Sequence, residues 1–279
     1  YFANQVAIYD RCLNNENTDA EVGPWLVDAA DNLGAEGDLF RPDYAGNGQF
    51  FPECYIIPLD SLNQSNLQAA YDMIQWLTRN DVKVGISTAE FTYDGVTYPE
   101  GTMVVSMYQA KRAVANGVLY QGTVIRDWNE LYSEGITAFN YTRGFDMVTC
   151  AEPAAYETIS AAVGTTLDYD AALTYLAANA KTQFTGDING DVIISNSSED
   201  AVAAVNALLK ADKAVGMITE GAYEGDFICS YADYLTVKDA YVFTATGIAD
   251  EEIVAYVIET APTVYINGTV GVMTPSASG

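Results

Sequence analysis

Two stretches of this sequence follow one grammar: an apolar strand, a capped helix, a Val-Gly strand, a glycine turn and a further strand. In the first, Cys54-Tyr-Ile-Ile-Pro-Leu59 reads as a buried strand. Ser65-Asn-Leu-Gln68 then caps a helix whose apolar face carries Leu67, Ala70, Tyr71, Ile74 and Leu77. Val82-Lys-Val-Gly-Ile-Ser87 is the next strand, and Phe91–Tyr98 reads as a tight hairpin, because Asp94-Gly95 suits a primed turn. Pro99-Glu-Gly101 turns into the strand Thr102–Met107, and a helix from Gln109 to about Asn116 closes the unit. In the second stretch, Val192–Ser195 is a strand and Ser197-x-x-Asp200 starts a helix carrying Val202, Val205, Leu208 and Leu209. Ala214-Val-Gly-Met-Ile-Thr219 then matches Lys83-Val-Gly-Ile-Ser-Thr88, and Gly225–Tyr231 sits where Gly101–Met107 stood. An internal duplication and two β-α-β units of common build both fit this order.

The rest of the chain is read more coarsely. Val6-Ala-Ile-Tyr-Asp10 is a short strand candidate. The capping box Thr18-Asp-Ala-Glu21 opens a helix with Val22, Trp25, Leu26, Ala29 and Leu33 on one face, ended by Gly34. Residues 34–52 are loop-like. Later come an Ala-rich helix around 171–180, the strand Ala240–Ala245, a helix after Asp250 and a strand over Thr263–Ile266. Strands alternating with helices predict a layered α/β fold, with a mixed sheet because of the hairpin. The expected division is residues 1–150 as one α/β unit and 151–279 as a second, a degenerate repeat packed on the first.

Charge and composition exclude whole classes of chemistry. The chain of 279 residues carries 12 Lys+Arg against 38 Asp+Glu, a net charge of −26, so nucleic acid and anionic membrane surfaces are poor partners. It has no histidine, which removes Ser-His-Asp and Cys-His catalysis, HExxH zinc sites and imidazole acid–base chemistry. Hydrophobic residues make up 49%, enough for a proper core. No apolar run approaches the roughly 18 residues of a membrane span. The start at Tyr1 and the linker-like Thr274–Gly279 lead to the expectation of an excised piece.

Four cysteines, Cys12, Cys54, Cys150 and Cys229, are too widely spaced for a CxxC motif. With few lysines and many Tyr and Asn, they point to an exported protein with disulfides, buried free thiols being the alternative. The expected bridges are Cys12–Cys54 and Cys150–Cys229, each tying a strand end to a neighbouring element.

Other local patterns are weaker. Asp187-Ile-Asn-Gly-Asp191 places oxygen ligands at alternate positions but has Val192 and Ser198 where a calcium loop needs Gly and Glu, so it reads as a polar turn. Gly85-Ile-Ser-Thr-Ala89 half matches a nucleophile elbow that has no histidine to serve it. The acid pairs Glu199-Asp200 and Glu251-Glu252 raise a carboxylate-pair glycosidase, yet they sit at predicted helix starts, where acids favour the helix dipole. Lys111, Arg112, Arg126 and Arg143 cluster in sequence as a candidate anion clamp, with ion pairing to nearby Asp and Glu as their plainer use.

One region is more specific. Phe50–Pro58, Trp76–Val84, Thr92–Val105 and Gln109–Arg112 together resemble, in order and spacing, the segment downstream of the catalytic domain in secreted bacterial zinc-carboxypeptidase-like proteins. The likeness continues loosely to Asp146 and covers roughly residues 40–150. That family's metal ligands are a His and Glu in an HxxE motif plus a later His, and this histidine-free chain has no position to carry them. Some members are similar, after the catalytic domain, to a glutamine amidotransferase, whose Cys-His chemistry is equally absent here. The resemblance implies a non-catalytic, extracellular or envelope-associated accessory region without cofactor. Its partners would be the catalytic domain of the same polypeptide and a peptide or cell-wall ligand. The alternative is a two-lobed extracellular ligand-binding protein with its ligand between the halves.

Overall fold

The structure, a computed structural model, describes residues 2–15, 51–121, 138–249 and 252–261. Helix α1 (Phe2–Leu13) leads in. Strand β1 (Cys54–Ile57) is followed by α2 (Leu67–Arg79), whose N-cap Asn66 accepts a hydrogen bond from the Ala69 N–H at 3.0 Å. After β2 (Val84–Ser87), strands β3 (Phe91–Tyr93) and β4 (Val96–Tyr98) form a hairpin. Its two-residue turn has positive φ at both Asp94 and Gly95, the primed geometry that matches strand twist. There follow β5 (Met103–Ser106), α3 (Arg112–Leu119), α4 (Phe139–Arg143), β6 (Val148–Cys150), α5 (Ala155–Ser160), β7 (Val163–Leu167) and α6 (Tyr169–Asn179).

These elements build one five-stranded sheet, ordered β6-β1-β5-β2-β7, in which every neighbouring pair is antiparallel. Period-two alternation sends Tyr55, Ile57, Val84, Ile86, Met103 and Val105 to a core shared with Leu67, Ile74 and Leu77 of α2. Cys54, Ile56, Val104 and Cys150 face the other way, under Phe91 and Tyr98 of the hairpin and Ile159 of α5.

The second sheet uses β8 (Gln183–Gly186), β9 (Asp191–Ile194), α7 (Glu199–Lys210), β10 (Val215–Ile218), β11 (Phe227–Ser230), α8 (Tyr231–Tyr234), β12 (Thr244–Ile248) and β13 (Ala255–Ile258). Its order is β13-β10-β11-β9-β12-β8, antiparallel throughout except for the parallel pair β12–β8, so this sheet is mixed. Ala201, Ala204, Val205 and Leu208 of α7 pack on Val192, Ile194, Val215 and Phe227. The Gln183 side chain joins the two sheets: its amide donates to the Leu59 carbonyl and its oxygen accepts from the Ser61 N–H, both at 2.7 Å.

With the edge strand β8 set aside and the second sheet counted from β9, strands of both sheets lie in the same positions: the third strand is central, the first and second flank it, and the fourth and fifth lie outside them. The register agrees residue by residue. Ile56 pairs with Val104 and Val104 with Gly85 in one sheet, as Ile193 pairs with Ile228 and Ile228 with Gly216 in the other. Each helix ends in an aspartate at positive φ, Asp81 or Asp212, just before its Val-Gly strand. Each central strand is entered through a glycine, Gly101 at φ +92° or Gly225 at φ +93°, whose N–H bonds the end of the second strand.

The first sheet runs past residue 150 to β7, and the second begins at β8. Three expectations about single elements change. Residues 6–10 lie within α1 instead of forming a strand; no Gly or Pro bounds that short apolar run, and the helix runs through it. The strand expected at 240–245 lies at β12, since the Val242 N–H bonds the Asp200 carboxylate at 2.7 Å before any ladder begins. The segment after Asp250 enters β13, not a helix, because the free edge of β10 takes it as a ladder partner. The helix expected over 18–34 and the strand over 263–266 lie outside the described residues.

Candidate functional site

The hairpin and α5 cover only part of the second face of the first sheet. Beside them lies a cleft of about 730 Å³, floored by Gly85, Val104 and Val163 and edged by Tyr9 and Leu13 of α1. Glycine at 85 sets its depth: a Cβ there would stand 2.7 Å from Val163 Cγ1 and 3.0 Å from the Val104 carbonyl. One wall is made by Tyr108, whose ring stacks on Tyr156 with centroids 5.4 Å apart. The Tyr108 hydroxyl donates to the buried Glu53 carboxylate at 2.8 Å, and burial together with that carboxylate holds its pKa above the usual tyrosine value.

Two exposed ammonium groups, Lys83 and Lys111, stand at the rim. Gln109 pins the main chain at Lys83: its oxygen accepts from the Lys83 backbone N–H at 2.7 Å, and its amide donates to the backbone carbonyls of Lys83 at 3.0 Å and Ser106 at 2.7 Å. Asp81 also lines the rim. Cations above an aromatic and aliphatic floor suit a ligand with a carboxylate at one end and an apolar or aromatic body.

A smaller cleft, about 290 Å³, opens where α2 meets α7 and is lined by Asn66, Gln68, Asp72, Thr142, Arg143 and Glu199. The Gln68 side-chain oxygen accepts from the Asp200 N–H at 2.8 Å beside it. Burial, then the neighbouring Asp200, raises the Asp72 pKa, with Arg143 opposing the shift.

Among the described residues, the candidate anion-clamp cations Lys111, Arg112 and Arg143 stand in three separate places. Lys111 lines the large cleft, and Arg143 lies over the Phe139 ring at 4.3 Å beside the small one. Arg112 is buried, with its guanidinium donating to Asn15 Oδ1 at 2.9 Å and lying 4.6 Å from the centre of the Phe51 ring. Arg126 is outside the described residues. Lys83, Tyr108 and Tyr156 were not singled out by sequence; the abundance of tyrosine was the only signal, and it gives no position.

All four cysteines are thiols here, and the expected pairings are not the ones the strands bring together. Register sets Cys54 opposite Cys150 on β1 and β6, while Cys229 is buried in the second core and Cys12 sits on α1. Burial, with Asp233 and Asp191 nearby, pushes the Cys229 thiol up to about 12.

Ser87, of the half-matching elbow, is buried; its hydroxyl donates to the Pro99 carbonyl at 3.2 Å and accepts from the Thr102 N–H at 3.0 Å, a structural use. Asp187 accepts from the Asn189 N–H and side-chain amide, which makes a polar turn. Glu199 and Asp200 open α7, and Glu252 precedes β13 outside any helix. Among the described residues no three Cys, Asp or Glu side chains converge as metal ligands, and no helix is long and apolar enough to cross a membrane.

Comparison with known protein families, with curated proteins and with solved structures returns no match to this chain. The fold and its clefts therefore define a class only: an acidic chain of helices and sheets, one sheet antiparallel and one mixed.

Proposed function

We propose that this chain is a non-catalytic accessory region of an exported zinc-carboxypeptidase-like protein, and that it positions peptide or cell-wall substrate for a peptidase domain of the same polypeptide. One observation carries the reading. The four segments that resemble that family supply β1, the α2–β2 connection, the hairpin with β5, and the approach to α3, and Lys83, Gln109 and Lys111 of the large cleft lie within them. Two cations over an apolar floor would hold the free carboxylate and last side chain of a peptide. The finer organisation belongs to the same reading: the shared strand order, register, aspartate helix ends and glycine entries support two related units, the second derived from the first by duplication.

Calorimetric titration with short peptides, carboxy-terminal and amidated, tests this. Binding that needs the free carboxylate and weakens at least tenfold in a Lys83→Met, Lys111→Met variant supports it. Hydrolysis of the peptide, stoichiometric zinc, or no binding overturns it.

A second reading, a two-lobed ligand-binding protein, draws on the small cleft between α2 and α7. It predicts a small-molecule stabiliser whose effect is lost with Arg143→Met and kept with the two lysine changes.

A further inference from the structure

Cys54 and Cys150 stand directly opposite each other on the antiparallel strands β1 and β6, flanked by the pairs Tyr55–Thr149 and Ile56–Val148. Opposed Cα atoms of an antiparallel pair lie about 4.5–5.5 Å apart, inside the roughly 4.4–6.8 Å span of a disulfide. Both side chains emerge on the same face and are fully buried, and the neighbouring Cys150 together with burial pushes the Cys54 thiol pKa up. Closing a bridge therefore needs side-chain rotation and no change of register. The strand geometry itself does not ask for sulfur: at the matching place in the second sheet Asp191 faces Ile248.

We propose that Cys54 and Cys150 are a disulfide-forming pair, oxidised by a small-molecule disulfide to a bridge that fastens β6 to β1, with Cys12 and Cys229 outside it. One protein thiol gives its proton to solvent, and its thiolate attacks a sulfur of the small disulfide, releasing one small thiolate and leaving a mixed disulfide. The second protein thiol loses its proton and displaces the remaining small thiolate. In sum, two protein thiols and one small disulfide become one protein disulfide and two small thiols, so the protein gives up two electrons and two protons. Access comes through β6, a three-residue strand at the sheet edge, whose opening uncovers both sulfurs. In the closed fold both thiols are shut away, so exchange is slow unless β6 is undocked.

The bridge would close a loop of about a hundred residues that contains β1 through β6, which confines the unfolded chain and holds the edge strand in place. The inference does not depend on the accessory-region reading, since it rests on β-sheet register alone.

The test is refolding of the full chain in oxidised glutathione, then alkylation, intact mass and peptide mapping, with a dithiothreitol-treated sample beside it. The oxidised protein should carry two alkyl groups where the reduced protein carries four, with one linked peptide pair that contains Cys54 and Cys150. Its Tm should exceed that of the reduced protein by about 5–10 °C. The Cys12→Ser, Cys229→Ser variant, which leaves the pair intact, should give the same link and the same shift. A link through Cys12 or Cys229, or folded protein with no link after oxidative refolding, overturns the proposal.

Discussion

The two sheets share strand order and register, yet they differ in what lies on their second face. In the first sheet the segment between the second and third strands is long enough to fold into the β3–β4 hairpin, which with α5 buries Ile56, Val104 and the two thiols. In the second sheet the equivalent stretch, residues 219–224, is a short turn. The matching face there gathers Ile193, Ile218 and Ile248 under a few half-buried side chains, and Val257 stays largely exposed. The difference teaches that the helix-covered face goes with the shared topology, while the opposite face is where the longer connection of the first sheet walls a cleft. Both of the features with chemical character, the lysine-rimmed cleft and the thiol pair, are on the face that carries the hairpin.

Matched substitutions in the two helices should have the largest effects. Leu77 and Leu208 occupy the same place relative to the positive-φ aspartate, and both are buried to within 1%. Truncating either to alanine should cost about 2–5 kcal/mol. Because the sheets are joined through few side-chain bonds, among them those of Gln183, calorimetry should show Leu77→Ala lowering one transition and Leu208→Ala another. One transition shifted by both variants would mean that the sheets unfold as a unit.

A smaller contrast lies at the paired glycines. Gly85→Ala would press a methyl onto Val163 and the Val104 backbone, and should cost about 1–3 kcal/mol in denaturant unfolding. At Gly216 the nearest atoms are the Ala255 and Ile228 methyls at 3.0 Å, and the nearest backbone atom is the Tyr256 carbonyl oxygen at 3.5 Å, so Gly216→Ala should cost under about 1 kcal/mol. Equal costs would refute the difference in cover between the two faces.

The smallest effect is expected at the junction. The Asp72 carboxyl is held above its usual pKa by burial and by Asp200 and Glu199, against Arg143. A raised folded pKa favours the neutral acid, so its contribution is full below the ordinary aspartate range and is lost as pH rises through the folded value. Asp72→Asn should therefore raise Tm by about 1–2 °C at neutral pH and leave it unchanged near about pH 3. The shift is small because water still reaches the carboxyl. A loss of stability at neutral pH would show that the Arg143 attraction outweighs the rest.

Much of the first sheet was legible in the text. The helix starts are legible to within one residue: the patterns beginning at Ser65 and Ser197 place the caps one position early, and Asn66 and Ser198 are the side chains that satisfy N–H groups the first turn leaves open. Asp94-Gly95 marks a hairpin because few other pairs accept two positive φ angles. Strand β7 was not legible: Val163-Gly-Thr-Thr-Leu167 has little apolar alternation, and it is a strand because β2 offers an open edge. The large cleft was hidden for a related reason. Tyr9, Lys83, Tyr108 and Tyr156 come from four separate stretches, and no local pattern joins them.

The sequence by itself determined the class of elements, the position of the capped helices and turns, the exclusion of histidine chemistry, and the common grammar of its two halves, because caps, primed turns and apolar periodicity are short-range properties of the chain. Only the tertiary structure decided that the first sheet extends to β7, that Cys54 faces Cys150 and not Cys12, and that two lysines share one cleft. Those outcomes depend on which strand edges meet, and edge pairing is settled by burial and register over distances that no local motif encodes.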